Sequence, residues 1–122
     1  MIRDSYSDKL LRSASTFFGR WTGAHARLIS LTDSHRTLVI LLMRPGLPGN
    51  LVIACIEPIF IHAPCDWDDC SLSLAAREST DPTETIFVLA DAGADMEIVC
   101  GAVEIAENVE RYESKNPDTS PR

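Results

Sequence analysis

Two neighbouring segments of this chain are apolar on both alternating faces, and few architectures can hold such segments. In residues 37–43 (TLVILLM), Val39, Leu41 and Met43 fall on one side of an extended chain and Leu38, Ile40 and Leu42 on the other. Residues 51–62 (LVIACIEPIFIH) repeat the arrangement after a loop dense in proline and glycine, Arg44 to Asn50. Successive side chains of a strand point to opposite faces, so a strand apolar on both sides sits centrally in a sheet with cover on each face. The longest unbroken apolar runs, Leu38–Met43 and Leu51–Ile56, have six residues each, far short of the roughly 20 residues a membrane-spanning helix needs. Glu57-Pro58 interrupts the second segment, and because proline donates nothing to a ladder, a bulge, bend or edge is expected there.

The flanking sequence supplies one helix and further strands. Over residues 4–21, Tyr6, Leu10, Leu11, Ala14, Phe17, Phe18 and Trp21 recur at spacings of three and four, the stripe of an amphipathic helix. Asp4 or Ser5 can cap its start, and Gly19 or Gly23 marks its end. Residues 24–31 and 37–43 read as a hairpin around a turn containing Asp33 and Ser34. Residues 71–77 alternate as a half-exposed strand, with Leu72, Leu74 and Ala76 inward. Residues 85–90 and 96–100 read as a second hairpin through Asp91-Ala92-Gly93-Ala94-Asp95. Beyond Gly101 the pattern fits both periods: a strand through Ile105, bulged at Gly101, is expected, with 102–112 open between strand and helix.

The expected fold is therefore α+β and mostly β. An N-terminal amphipathic helix packs on a curved antiparallel sheet of six or seven strands, rolled into a barrel or split into a sandwich, with a meander as the simplest topology. Residues 1–113 are expected to form a single domain, and the polar segment 114–122 is expected to be a disordered tail. A chain of 122 residues can bury one sizeable core.

The net charge of −7 is uneven: residues 1–44 carry +4 and the remainder −11. The overall sign argues against nucleic acid, whose phosphates demand a basic surface. The first 25 residues include Asp4 and Asp8 and no continuous apolar stretch, unlike a secretory or transit peptide. No membrane association is expected, and the expected compartment is the cytoplasm. There the four cysteines, Cys55, Cys65, Cys70 and Cys100, would be reduced thiols.

The chemistry-bearing residues cluster in one loop. His62, Cys65 and Cys70 form a candidate metal set, since thiolates and imidazole suit zinc, although the spacing lacks the compact ligand pairs of common zinc sites. Asp66, Trp67, Asp68 and Asp69 between them form a candidate binding surface. Trp67 is expected to fold back on the core. Glu57 is a candidate buried carboxyl with a raised pKa, the alternative being that Pro58 turns it to solvent. Cys65 and Cys70 sit among carboxylates, an unfavourable setting for a nucleophilic thiolate. No phosphate-cradling glycine loop and no nucleophile elbow occurs. No catalytic residue is assigned and no cofactor is expected.

Three function classes remain. The first is a non-enzymatic interaction module meeting a protein partner, or a second copy of itself, through a sheet edge or the acidic surface around 63–70. The second is a small metal-binding domain. The third is a small enzyme or ligand carrier with a pocket at the sheet or barrel mouth.

Overall fold

The structure is a computed structural model and describes residues 5–32, 36–46, 48–78 and 84–108. Helix α1 spans Ser5–Arg20. Leu10, Ala14, Phe17, Phe18 and Trp21 turn toward the sheet, with Ala14, Phe18 and Trp21 buried, whereas Tyr6 is exposed. Asp8 in the first turn and Arg20 in the last both oppose the helix dipole favourably. The Arg44 guanidinium donates from Nη1 to the Arg20 carbonyl at 2.8 Å, satisfying an acceptor that a helix end leaves open. Gly23, at φ +91, then takes the left-handed conformation that turns the chain into the sheet.

Seven strands follow: β1 (His25–Thr32), β2 (Thr37–Met43), β3 (Asn50–His62), β4 (Asp66–Trp67), β5 (Ser73–Glu78), β6 (Thr85–Asp91) and β7 (Met96–Asn108). They form one antiparallel sheet in the order β4-β1-β2-β3-β7-β6-β5. The expected single meander gives way to two, β1-β2-β3 and β5-β6-β7, joined along their longest members. β3 and β7 have 13 residues each and pair from Asn50↔Asn108 to His62↔Glu97. That pairing settles the ambiguous stretch after Gly101. Residues 102–108 are strand, not a helical turn, because Asn50–Ile56 supplies ladder partners along their whole length. Residues 109–112 and the tail 114–122 lie outside the described residues.

The sheet is neither a closed barrel nor a sandwich. β4 and β5 are its two edges and do not pair. Residues 68–72 alone connect these edges, and so short a link reaches at most about 20 Å. The sheet is thus an open roll with the helix against its inner face. The inner face carries Ala26, Ile40, Leu42, Leu51, Ile53, Cys55, Val103, Ile98, Leu89 and Phe87, all buried with Phe18 and Trp21 in one core cluster. Full burial of each Leu or Ile contributes roughly 1.5–3 kcal/mol. The second apolar face of β2 and β3 needs no second layer of backbone. There Leu41 is buried among its neighbours, and Val39, Val52, Ala54 and Ile56 are half-buried.

The helix is tied to the end of β7 by Glu107. Its carboxylate accepts from Arg20 Nη2 at 2.7 Å, Arg20 Nε at 3.2 Å and Trp21 Nε1 at 2.7 Å. The Arg20 bond, with the indole second, holds the Glu107 carboxyl below the usual carboxylate range. Among the described residues, no helix is long and apolar enough to cross a membrane.

Candidate functional site

The loop that concentrated the chemistry-bearing residues is a structural clasp over the helix–sheet junction. Asp66 and Trp67 form β4 by pairing with Arg27 and Ala26. Cys70 N donates to Ala24 O at 3.0 Å, Gly23 N donates to Cys70 O at 2.8 Å, and Leu28 N donates to Cys65 O at 2.9 Å. Trp67 is folded into the core, and its Nε1 donates to Asp91 Oδ2 at 2.9 Å. Asp91, only 2% exposed, also accepts from Ser71 N at 2.9 Å and Gly93 N at 3.1 Å. A carboxylate buried to this degree is tolerated because donors surround it.

This clasp does not assemble the His62, Cys65 and Cys70 set. His62 Nε2 lies 3.4 Å from Asp95 Oδ2, Cys65 is exposed, and Cys70 is buried with its thiol donating to Trp21 O at 3.6 Å. Burial pushes the Cys70 thiol up to about 11, with nearby Asp91 and Asp69 adding to the rise. A thiol so held is a poor ligand and a poor nucleophile. Cys55 is raised as well, because it hydrogen-bonds Cys100 and is buried with it where β3 meets β7. Among the described residues, no three His, Cys, Asp or Glu side chains are grouped as a metal site requires. Of the proposed acidic surface, Asp66, Asp68 and Asp69 are exposed, and Asp68 Oδ1 lies 2.7 Å from His25 Nδ1. Trp67 is not part of that surface.

Glu57 is not the buried carboxyl that its apolar neighbours suggested: its side chain is 63% exposed. Two backbone features put it there. Glu57 has φ +56, a left-handed conformation uncommon for a residue with a Cβ, and the register against β7 shifts between Pro58 and Phe60. Arg36, itself at φ +46, holds the distortion. Its carbonyl accepts from Glu57 N at 2.7 Å, its Nε donates to Glu57 Oε1 at 3.2 Å, and its Nη2 donates to the Pro58 carbonyl at 3.0 Å. These bonds offset strain of about 1–3 kcal/mol per left-handed residue.

The same point is where β2 runs out. The β2–β3 ladder ends at Thr37↔Ile56, while β3 continues to His62 against β7 alone. One side of Pro58–His62 therefore has no neighbouring strand among the described residues. This stretch exposes Ile59 (67%), Phe60 (50%) and Ile61 (39%). Proteins usually blunt sheet edges with charge, proline or brevity. β4 is two residues long, begins with Asp66 and is followed by Asp68, and β5 ends in the charged pair Arg77-Glu78. The open part of β3 has Pro58 at its start and is apolar from there through Ile61. A cleft of about 410 Å³ opens beside it, lined by Arg36, Glu57, Ile59, Glu84, Ile86 and the bare backbone of Gly101.

Ile59, Phe60, Ile61 and Arg36 escaped the sequence reading because the whole segment 51–62 read as doubly buried. A signal was present in the lengths. β2 has seven residues and β3 has 13, so the shorter strand cannot cover the longer one. Comparison with family models, curated proteins and solved structures returned no match for this chain.

Proposed function

We propose that this protein is a non-enzymatic interaction module that takes up an extended segment of a protein partner as an added strand beside Pro58–His62. One observation carries this reading: a strand side without a neighbouring strand among the described residues, presenting Ile59, Phe60 and Ile61 to solvent. In strand addition the main-chain groups of the edge supply affinity, and side-chain pockets beside it supply selectivity. The cleft at Gly101 adjoins the edge and fits the second role. The free thiols suit a reducing compartment such as the cytoplasm.

Amide exchange tests the proposal. In the dilute protein, those amides of residues 59–62 that are not bonded to β7 should exchange far faster than that of Ile53. An added strand-forming peptide should slow them, and Phe60→Asp should abolish the slowing while leaving the circular dichroism unchanged. If these amides are as protected as Ile53 in the dilute monomer, the edge is not open and the proposal fails.

A further inference from the structure

We infer that the segment this edge accepts is basic, with an apolar centre bracketed by lysine or arginine side chains. The inference rests on the strand-addition reading and adds the chemistry of the occupant. The centre follows from Ile59, Phe60 and Ile61, which an apolar neighbour would cover. Phe60 also continues across the sheet into Val99 and Val88, its successive ladder partners, so the apolar row is already extended on one side.

The charge follows from the two ends of the edge. Glu57 stands at the Pro58 end with Glu84 beyond β7 at the start of β6, and Asp95 and Glu97 flank the His62 end from the β7 side of β3, all four exposed. The opposing groups are already engaged: Arg36 bonds Glu57, and His62 lies against Asp95. Glu84 and Glu97 have no ion-pair partner among the described residues. Both ends thus present uncompensated negative charge, which favours cationic side chains and steers their approach. A second copy of this chain is the disfavoured occupant. Each copy carries −7, and antiparallel self-pairing would place the carboxylates of one copy's Pro58 end beside those of the other's His62 end.

The test uses two amidated peptides with the same alternating valine centre, one flanked on each side by lysines and the other by glutamates. Binding to the full chain is followed by fluorescence anisotropy, and its location by exchange of the 59–62 amides. The lysine peptide should bind and protect those amides. The glutamate peptide should bind at least tenfold more weakly. The double variant Glu84→Gln/Glu97→Gln, at two exposed sites outside the core, should weaken the lysine peptide about fivefold, the effect of two exposed ion contacts. Equal binding of the two peptides with protection of 59–62 would overturn the basic occupant and leave strand addition standing. Protection of the same amides by concentration-dependent dimerisation of the chain alone would overturn it in favour of a second copy. Failure of both peptides to protect 59–62 would remove strand addition itself.

Discussion

Replacing Asp91 should loosen the molecule where the link between its two edge strands is fastened. Asp91 accepts three hydrogen bonds, from Trp67 Nε1, Ser71 N and Gly93 N. Ser71 and Gly93 are exposed, so water can replace the carboxylate for them at small cost. Trp67 is buried, and its indole N–H has no such recourse. An orphaned buried donor costs about 1–3 kcal/mol, and bonds to a charged group contribute about 1.5–3 kcal/mol each. Removing a buried carboxylate recovers part of this as relief of its own desolvation. Asp91→Ala should therefore destabilise by about 3 kcal/mol. With a urea slope of about 1.5 kcal/mol/M, the midpoint should fall by about 2 M. Asp91→Asn keeps one acceptor oxygen and the shape, and should lose about half as much. Trp67→Phe combined with Asp91→Ala should show a coupling of at least about 1 kcal/mol in a double-mutant cycle. Amides tied down by the clasp, those of Gly23, Leu28 and Cys70, should exchange faster in Asp91→Ala than in wild type. A loss below about 1 kcal/mol with unchanged exchange at these amides would refute the view that Asp91 fastens the junction.

Three further outcomes are expected. Glu107 has a folded pKa below its unfolded value, so its stabilisation is present above an unfolded value of about 4.3 and is lost as pH falls through the folded one. Urea midpoints of Glu107→Gln should accordingly lie below wild type at neutral pH and converge with it as the solution is acidified below about pH 4. A colourimetric thiol reagent should modify Cys65 rapidly in the native protein, and Cys55, Cys70 and Cys100 only after denaturation. Phe60→Lys should change stability by less than about 0.5 kcal/mol and lower aggregation measured by light scattering, since the residue is half exposed and the substitution places charge on an open edge.

The elements that could be read from the sequence are those whose evidence is local. The apolar stripe from Leu10 to Trp21 declared its helix, and the doubled faces of 37–43 and 51–62 declared strands central to a sheet, which holds for 51–56 but not beyond Glu57. The same doubled faces pointed too far, to a barrel or sandwich. Leu41 and Val39 are covered by their own neighbours on the outer surface, which a count of apolar positions does not reveal. What remained hidden depends on partners distant along the chain. Ala102–Asn108 is strand because Asn50–Ile56 lies beside it, and no local period in 102–108 records that. Glu57 read as an anomaly inside a buried strand, and Pro58 correctly signalled a break in the ladder. The identity of Arg36 as the residue bracing that break follows only from the fold. Trp67 was legible as a core residue, whereas its acceptor Asp91 looked like an ordinary hairpin residue.

The reach of the β1–β2 hairpin sets how much of β3 is left bare. Arg36 is at once the residue before β2 and the brace on Glu57 and Pro58, so a single side chain marks the frontier between covered and uncovered backbone. That frontier lies outside the core and can be moved without repacking it. Lengthening both arms of the hairpin by an even number of residues keeps the inward-facing positions in phase and carries the ladder over Phe60. A protein altered in this way would be the same roll with its mouth zipped shut. A shortened hairpin would bare more of β3 and offer a longer footing. On the strand-addition proposal, receptivity is a matter of hairpin length, adjustable two residues at a time, in a scaffold whose interior need not change.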